Sequence, residues 1–151
     1  MPKRKVIYIA GLDRSGSTIT GTVLGNHPAI AHYGELQFFA KAVLTNRIIN
    51  YDQPISESPF WQEIIDAFQQ RFGPNVFRDF ASVKARFERW RNLPLLLLFF
   101  MVQHSDLKAY LSYNTYLVDL LLEKDKKDLI CDSSKNMVRR IALWLSGDFQ
   151  F

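Results

Sequence analysis

The feature that most constrains the fold is a short apolar run that leads directly into a glycine-rich segment. The run extends from Val6 to Ala10 and has β-branched or aromatic residues at most of its positions. Because its apolar residues do not alternate with polar ones, we expect a strand buried on both faces, which is typical of a parallel sheet. Residues 11–17 carry two glycines, an aspartate and two serines, and this composition predicts a loop.

The loop leads into a helix that begins at Ser17 or Thr18 and ends ahead of Pro28. Gly21 and Gly25 fall on one face of this helix and would let it approach the sheet closely. A glycine-rich loop between a buried strand and a helix is a candidate phosphate site.

Further short strands and several helices complete the predicted plan. The strands cover residues 29–33 and 129–131, and helical patterns occupy residues 38–44, 61–72, 77–90, 95–104 and 113–127. The apolar run Leu93 to Val102 is about half as long as a membrane-spanning helix, and we expect a buried helix there. This order of elements indicates an α/β fold: a P-loop-like parallel sheet flanked by helices, with a large helical insertion.

A final helix follows the strand at residues 129–131. Ser133 or Ser134 is expected to cap it, and Arg139 and Arg140 are expected to be surface charges on its polar side. Its expected apolar stripe consists of Met137, Ile141, Trp144 and Leu145.

Composition limits the size and the partners of the protein. The 151 residues, 48% of them hydrophobic, suffice for one domain with a core. The single cysteine, Cys131, cannot form an internal disulfide, and we expect it to be buried and inert. The sequence has no Cys and His cluster typical of a zinc site. A net charge of +4 suits a small anionic ligand rather than nucleic acid. We expect a cytoplasmic protein with no membrane span.

The loop carries the residue types that bind a phosphate group. Backbone N–H groups of the loop and of the first helical turn converge there, and Ser15, Ser17 and Thr18 add hydroxyl donors. Arg14 adds a positively charged guanidinium group, whose N–H donors can bind two oxygens of an oxyanion at once. In the nucleoside-triphosphate P-loop, a lysine stands where this chain has Ser17, which speaks against an ATPase, GTPase or kinase. A glycine-rich turn that binds no ligand is the alternative.

Residues 7–39 and 129–145 together strongly resemble the sulfotransferases that use 3′-phosphoadenosine 5′-phosphosulfate (PAPS). The signature Arg14-Ser15-Gly16-Ser17-Thr18 is similar to that family's 5′-phosphosulfate-binding loop. The Asn26-His27-Pro28 turn, the Gly34-Glu35 pair and residues 132–135 recur at similar places in its bacterial and Golgi-type members. The resemblance implies that residues 14–18 bind PAPS as a co-substrate, without a metal. It also implies transfer of a sulfuryl group to a hydroxyl or amine of a small-molecule or carbohydrate acceptor.

Glu35 is the expected catalytic base, because it follows a short strand at the sheet edge where α/β proteins bind ligands. In related enzymes, a similar glutamate is thought to deprotonate the acceptor. The alternative is a helix N-terminal glutamate that interacts with the dipole. His32, three residues earlier, is the reserve candidate, whereas His27 is expected to be a turn residue.

Lys135 is the second catalytic candidate. It precedes a predicted helix, where a cation is unfavourable for the dipole, and this placement indicates an anion nearby. By resemblance, Lys135 would lie near the sulfuryl group or the acceptor, while the alternative is a solvated surface lysine.

The resemblance covers the N-terminal portion of the family only. In related enzymes, an arginine after the next strand and a serine on the following helix bind the 3′-phosphate of the donor. Neither can be assigned here, so we expect residues 1–151 to form a single, incomplete sulfotransferase-like domain that binds PAPS weakly. The insertion at residues 51–127 is expected to shape the acceptor pocket. Its aromatic residues are expected in the core, and the alternative is that they form an apolar or carbohydrate-stacking wall of that pocket; they include Phe60, Trp61, Phe68, Phe72 and Trp90.

Two other functions are compatible with the sequence. One is a P-loop nucleotide-binding phosphotransferase, which would bind nucleotides with Mg²⁺. The other is a non-catalytic helical interaction protein whose loop is only structural.

Overall fold

Parallel strands separated along the chain by helices form the central sheet. The computed structural model describes residues 3–12, 14–49 and 53–151; Asp13 in the loop and Tyr51, where the expected insertion begins, lie outside them. The strands in chain order are β1 (Arg4–Tyr8), β2 (Ile30–His32), β3 (Ile48–Ile49), β4 (Gln53–Pro54), β5 (Leu129–Asp132) and β6 (Phe149–Gln150). Four of them form a parallel sheet in the order β2-β5-β1-β6, while β3 and β4 pair antiparallel.

The described residues also form seven α-helices, which make the chain mostly helical. They are α1 (Ser17–Gly25), α2 (Phe39–Thr45), α3 (Pro59–Phe72), α4 (Val76–Phe87), α5 (Leu93–Met101), α6 (Ser105–Asp125) and α7 (Met137–Leu145). Helices α3 to α6 lie between β4 and β5, so the predicted α/β order with a helical insertion is confirmed.

The first strand differs in detail from the prediction. β1 begins at Arg4 and ends at Tyr8, and Val6 at its centre is its buried residue. The expectation of burial on both faces is therefore wrong outside the centre of the strand, where Val6 pairs with Ile130 of β5. The chain stays extended just beyond β1, because Ile9 N–H donates to Asp132 O at 2.9 Å.

Helix α1 contacts β2 through its two glycines, as predicted. A Cβ atom at Gly21 would overlap the His32 imidazole, and one at Gly25 would lie 2.8 Å from His32 Cβ. Since a methyl group does not fit at either position, the glycines set the distance between α1 and the sheet.

The apolar run Leu93 to Val102 forms a helix, but the expectation that this helix is buried is wrong. Leu96 is fully buried, whereas Met101 is 83% exposed and Leu98 is also exposed. The reason is geometric, because α5 packs on α4 and α6 along one side only. Since apolar residues occupy the whole circumference of α5, those on its other side are exposed to solvent. No helix within the described ranges combines the length and apolar character required to span a membrane.

The orientation of α7 also differs from the prediction. Asn136, rather than Ser133 or Ser134, caps the helix, and its Oδ1 accepts from the N–H groups of Val138 and Arg139. The predicted stripe is wrong, because Trp144 of that stripe is 61% exposed. The buried side consists of Val138, Arg139, Ala142 and Leu143.

An aromatic cluster forms the core of the helical region. Phe68 is fully buried, and its ring centroid lies 5.6 Å from that of Phe39 and 5.1 Å from that of Tyr116. Of the aromatic residues expected in the core, Trp61 and Phe68 are buried and Phe60 and Phe72 pack against them. The expectation is wrong for Trp90, which is 64% exposed on a short turn between α4 and α5.

Candidate functional site

The loop after β1 turns sharply into α1. Arg14 and Gly16 both adopt left-handed backbone conformations, with φ angles of 63° and 74°, and Ser15 N–H donates to Leu12 O at 3.3 Å. The space beside Gly16 is open, because an added Cβ atom would meet nothing within 4 Å. Arg14 and Ser15 are exposed, so their side chains can contact a ligand from solvent.

The N-terminus of α1 faces this loop. The first hydrogen bond of the helical ladder runs from Thr20 N–H to Gly16 O at 3.0 Å, so the N–H groups of residues 17–19 precede the ladder. These groups and the helix dipole favour an anion. Thr18 is exposed at this end, whereas Ser17 is buried; of these two predicted hydroxyl donors, Thr18 is the accessible one.

The Asp132 carboxylate ties the end of β5 to the segment after β2. Its Oδ1 accepts hydrogen bonds from Ser134 N–H at 3.0 Å, from Leu36 N–H at 3.4 Å, and from the Ser134 hydroxyl. Ser133 N–H donates to Gly34 O at 3.2 Å. These bonds hold Gly34 and the residue that follows it, Glu35, beside the end of β5.

Glu35 and Lys135 lie in contact, although 100 residues separate them in the chain. Lys135 Nζ is 3.2 Å from Glu35 Oε1, and both side chains are partly buried. Lys135 adopts a left-handed φ of 60° just before the Asn136 cap. The Glu35 carboxylate is therefore one anion that lies beside Lys135.

Gln37 is a site residue that the sequence did not reveal. Its Nε2 donates to Glu35 Oε2 at 3.1 Å and to Ser134 O at 2.6 Å, and its backbone N–H donates to Ser134 Oγ at 3.0 Å. Gln37 thus fixes the second oxygen of Glu35 relative to the end of β5. The contact depends on a partner 97 residues away, so no local pattern indicates it.

Arg139 is buried, and the expectation that it is a surface charge is wrong. It is 1% exposed, its Nε donates to Asp132 Oδ2 at 3.2 Å, and its Nη1 donates to Glu88 Oε1 at 3.2 Å and to Asn114 Oδ1. Burial alone would lower the pKa of Arg139, but the Asp132 and Glu88 carboxylates, together with Tyr110, more than offset this, so its pKa lies well above the usual value. Arg139 therefore remains charged and connects the sheet to α4 and α6.

His32 and Cys131 contribute little charge to the site. Burial lowers the pKa of His32 despite the nearby Asp132 carboxylate, which favours a neutral imidazole near pH 7. His32 Nε2 lies 3.5 Å from Ser133 Oγ, so this histidine is near the site. Cys131 is buried as predicted, and burial raises the pKa of its thiol to about 11. His27 occupies a turn, where its Nδ1 accepts from Ala29 N–H.

A cleft of about 780 Å³ brings several of these groups to one surface. It is lined by Thr18 at the start of α1, by His32, Glu35 and Ser133 at the sheet edge, and by residues of α2. This volume is typical of small-molecule sites, which span roughly 300–1,000 Å³. The cleft therefore joins the candidate phosphate-binding helix end to the candidate base.

Comparison with known proteins yields a short match. A stretch of 71 residues is 37% identical to a protein of Aquifex aeolicus (strain VF5) that is described as uncharacterized. The match covers 46% of this chain and 9% of that protein's length. No family model matches the chain, and no solved structure matches it.

Proposed function

We propose that this protein is a sulfotransferase-type chain with a P-loop-like fold that transfers a sulfuryl group from PAPS to a hydroxyl or amine acceptor. The observation that carries the proposal is the shared cleft: Thr18, at the predicted 5′-phosphosulfate loop, and Glu35, the predicted base, line the same space. Transfer chemistry requires donor and acceptor sites that adjoin in this way.

The topology of the sheet supports a ligand site at this position. The connection after β1 leads to β2 on one side, and the connection after β5 leads to β6 on the other, while β1 and β5 are neighbours. In open α/β sheets, ligands bind outside the carboxyl ends of the strands where the connections diverge in this way. The loop after β1 and residues 133–136 after β5 both lie at this point.

The loop residues fit the phosphosulfate end of such a donor. The N–H groups of residues 17–19 and the Arg14 side chain would bind its oxygens, and the open space beside Gly16 admits them. The donor, when bound, supplies the sulfuryl group and a bisphosphate leaving group. Oriented N–H groups stabilise the charge that develops on the leaving phosphate oxygen.

Glu35 would act on the acceptor. Its carboxylate accepts the proton of the acceptor hydroxyl or amine as the new bond to sulfur forms and the bond from sulfur to the phosphate oxygen breaks. Lys135 and Gln37 hold the two oxygens of this carboxylate, at 3.2 Å and 3.1 Å, and so fix its direction. Lys135, predicted as a catalytic residue, would thereby also orient the proposed base.

A ligand-binding experiment tests the donor site. The melting temperature of the protein is measured with millimolar 3′,5′-adenosine bisphosphate, ATP or GTP, each with and without Mg²⁺. We expect stabilisation by the bisphosphate that does not depend on Mg²⁺, because ligand bound to the folded state raises stability. Arg14→Ala should remove this stabilisation, whereas Arg78→Ala, which removes an exposed charge on α4, should not.

The same experiment separates the alternatives. Stabilisation by ATP or GTP that requires Mg²⁺ would favour the phosphotransferase and count against the sulfotransferase. Absence of stabilisation by every nucleotide would favour a loop with only a structural role.

A further inference from the structure

Among the described residues that line the cleft beside Glu35, positive charges outnumber negative ones. Lys41 enters it from α2, and Arg47 enters it from the segment that follows α2. Glu35 is a lining carboxylate, and its charge is already paired with Lys135. The lining histidine, His32, is neutral near pH 7 because burial lowers its pKa.

One wall of the same cleft is aromatic. Phe38 lines it and is 46% exposed, so part of its ring is accessible to a ligand, while Lys84 Nζ lies 5.2 Å from the ring centroid. Phe39 and Trp61 line it as well, although both are held in the core. An accessible ring next to cationic groups is a surface on which a flat or ring-shaped compound with a negative charge can pack.

We infer that the cleft binds a hydroxylated ring compound that carries a carboxylate or similar anionic group of its own. Its hydroxyl would lie at Glu35, its ring would pack on Phe38, and its anionic group would pair with Lys41 and Arg47. The inference rests on the proposed function for the role of Glu35, but the charge preference follows from Lys41 and Arg47 alone. An acidic sugar or an acidic aryl glycoside has this chemistry, whereas its neutral counterpart lacks the anionic partner.

Two matched ligands test this preference. 4-Nitrophenyl β-D-glucuronide and 4-nitrophenyl β-D-glucoside share the ring system and the secondary hydroxyls, and they differ in the carboxylate at C6. Their affinities for the full chain are measured by titration calorimetry, with and without saturating 3′,5′-adenosine bisphosphate. We expect the glucuronide to bind about tenfold more tightly, since charge-assisted hydrogen bonds add free energy of this order. Its affinity should also fall as the salt concentration rises.

Variants locate the preference in the cleft. Lys41→Gln combined with Arg47→Gln removes two exposed charges and should lower the affinity for the glucuronide to that for the glucoside. Lys108→Gln combined with Arg78→Gln, which removes one exposed charge on α6 and one on α4, is the matched control and should behave as the wild type. Equal affinities in the wild type, a preference that survives in the double variant, or no binding of either glycoside would each overturn the inference.

Binding of 3′,5′-adenosine bisphosphate tests the proposed function separately from the charge preference. If the bisphosphate binds and the glycosides show no charge preference, the inference fails while the proposed function stands. If the charge preference is present but the bisphosphate does not bind, the cleft is an anion-preferring site and the sulfotransferase proposal fails.

Discussion

The helical region between β4 and β5 buries aromatic rings, whereas the region at the carboxyl end of β5 buries charge. In the first region, Phe68 is surrounded by other rings at centroid distances of 5.1–6.4 Å. In the second, Asp132 and Glu88 share the Arg139 guanidinium. The hydrophobic stabilisation from buried rings depends on shape and apolar area and is non-directional, while the stabilisation from buried ions depends on each partner being present. The two regions should therefore respond differently to substitution.

The largest effect is expected in the aromatic region. Phe68→Ala leaves a cavity among rings that cannot fully close around it, and we expect a loss of about 4 kcal/mol in the free energy of unfolding. Urea denaturation monitored by circular dichroism measures this loss. A conservative change, Phe68→Leu, refills most of the volume and should restore much of the stability. A loss below about 1 kcal/mol for Phe68→Ala would show that the ring cluster packs loosely.

A somewhat smaller loss in the free energy of unfolding is expected in the charged region, and a second substitution should partly reverse it. Arg139→Met should cost about 3 kcal/mol, because the buried Asp132 carboxylate loses its counter-charge and the buried Glu88 carboxylate keeps Lys84, 3.3 Å away, as its cationic partner. Adding Glu88→Gln removes one of these charges and should recover part of the loss in the same urea experiment. Adding Glu88→Gln to Phe68→Ala should give no such recovery. If the recovery is equal in both backgrounds, the distinction between the two regions is wrong.

The contrast between the two regions also explains what the sequence could and could not predict. The strand, loop and helix at residues 4–25 follow from local composition, and so do β2, β5 and the helical pattern between them. The burial of Arg139 does not follow from local composition, because its partners Glu88 and Asn114 lie 51 and 25 residues away. Periodicity assigns an arginine to the polar side of a helix, and only tertiary pairing places it in the core.

In the candidate site, too, local sequence predicted some features, while others depend on partners that are distant in the chain. Loop residues 14–18 and Glu35 were singled out because they follow strands, and the structure places Thr18 and Glu35 in one cleft. The position of Lys135 before a helix predicted an anion but not which one. The choice of Asn136 over Ser133 or Ser134 as the cap was not predictable, since asparagine and serine cap helices about equally well.

A third prediction concerns the contact between α1 and β2, which lies next to the charged region at the carboxyl end of β5. Gly21→Ala adds a methyl group that overlaps the His32 imidazole, at a cost of about 1–3 kcal/mol, partly offset by about 1 kcal/mol of helix propensity. We expect a net loss of about 1 kcal/mol in the wild-type background. In the His32→Ala background the overlap is absent, so the same substitution should become stabilising. Thermal or urea unfolding of the four proteins in this cycle measures the change of sign. A loss of the same size in both backgrounds would place the steric conflict elsewhere.

The smallest expected effect is a dependence of stability on mildly acidic pH that comes from His32, which lies next to the charged region. Burial lowers the pKa of His32 in the folded protein below its usual value of 6.5. As the pH falls, the unfolded chain therefore binds this proton first, and the free energy of unfolding decreases below about pH 6.5. His32→Gln should flatten this decrease in urea titrations between pH 8 and pH 5, while Phe68→Ala should leave the slope unchanged. An identical slope in the wild type and His32→Gln would mean that His32 has the same pKa in the folded and the unfolded protein. Burial at the end of β2 would then have no effect on the protonation of His32.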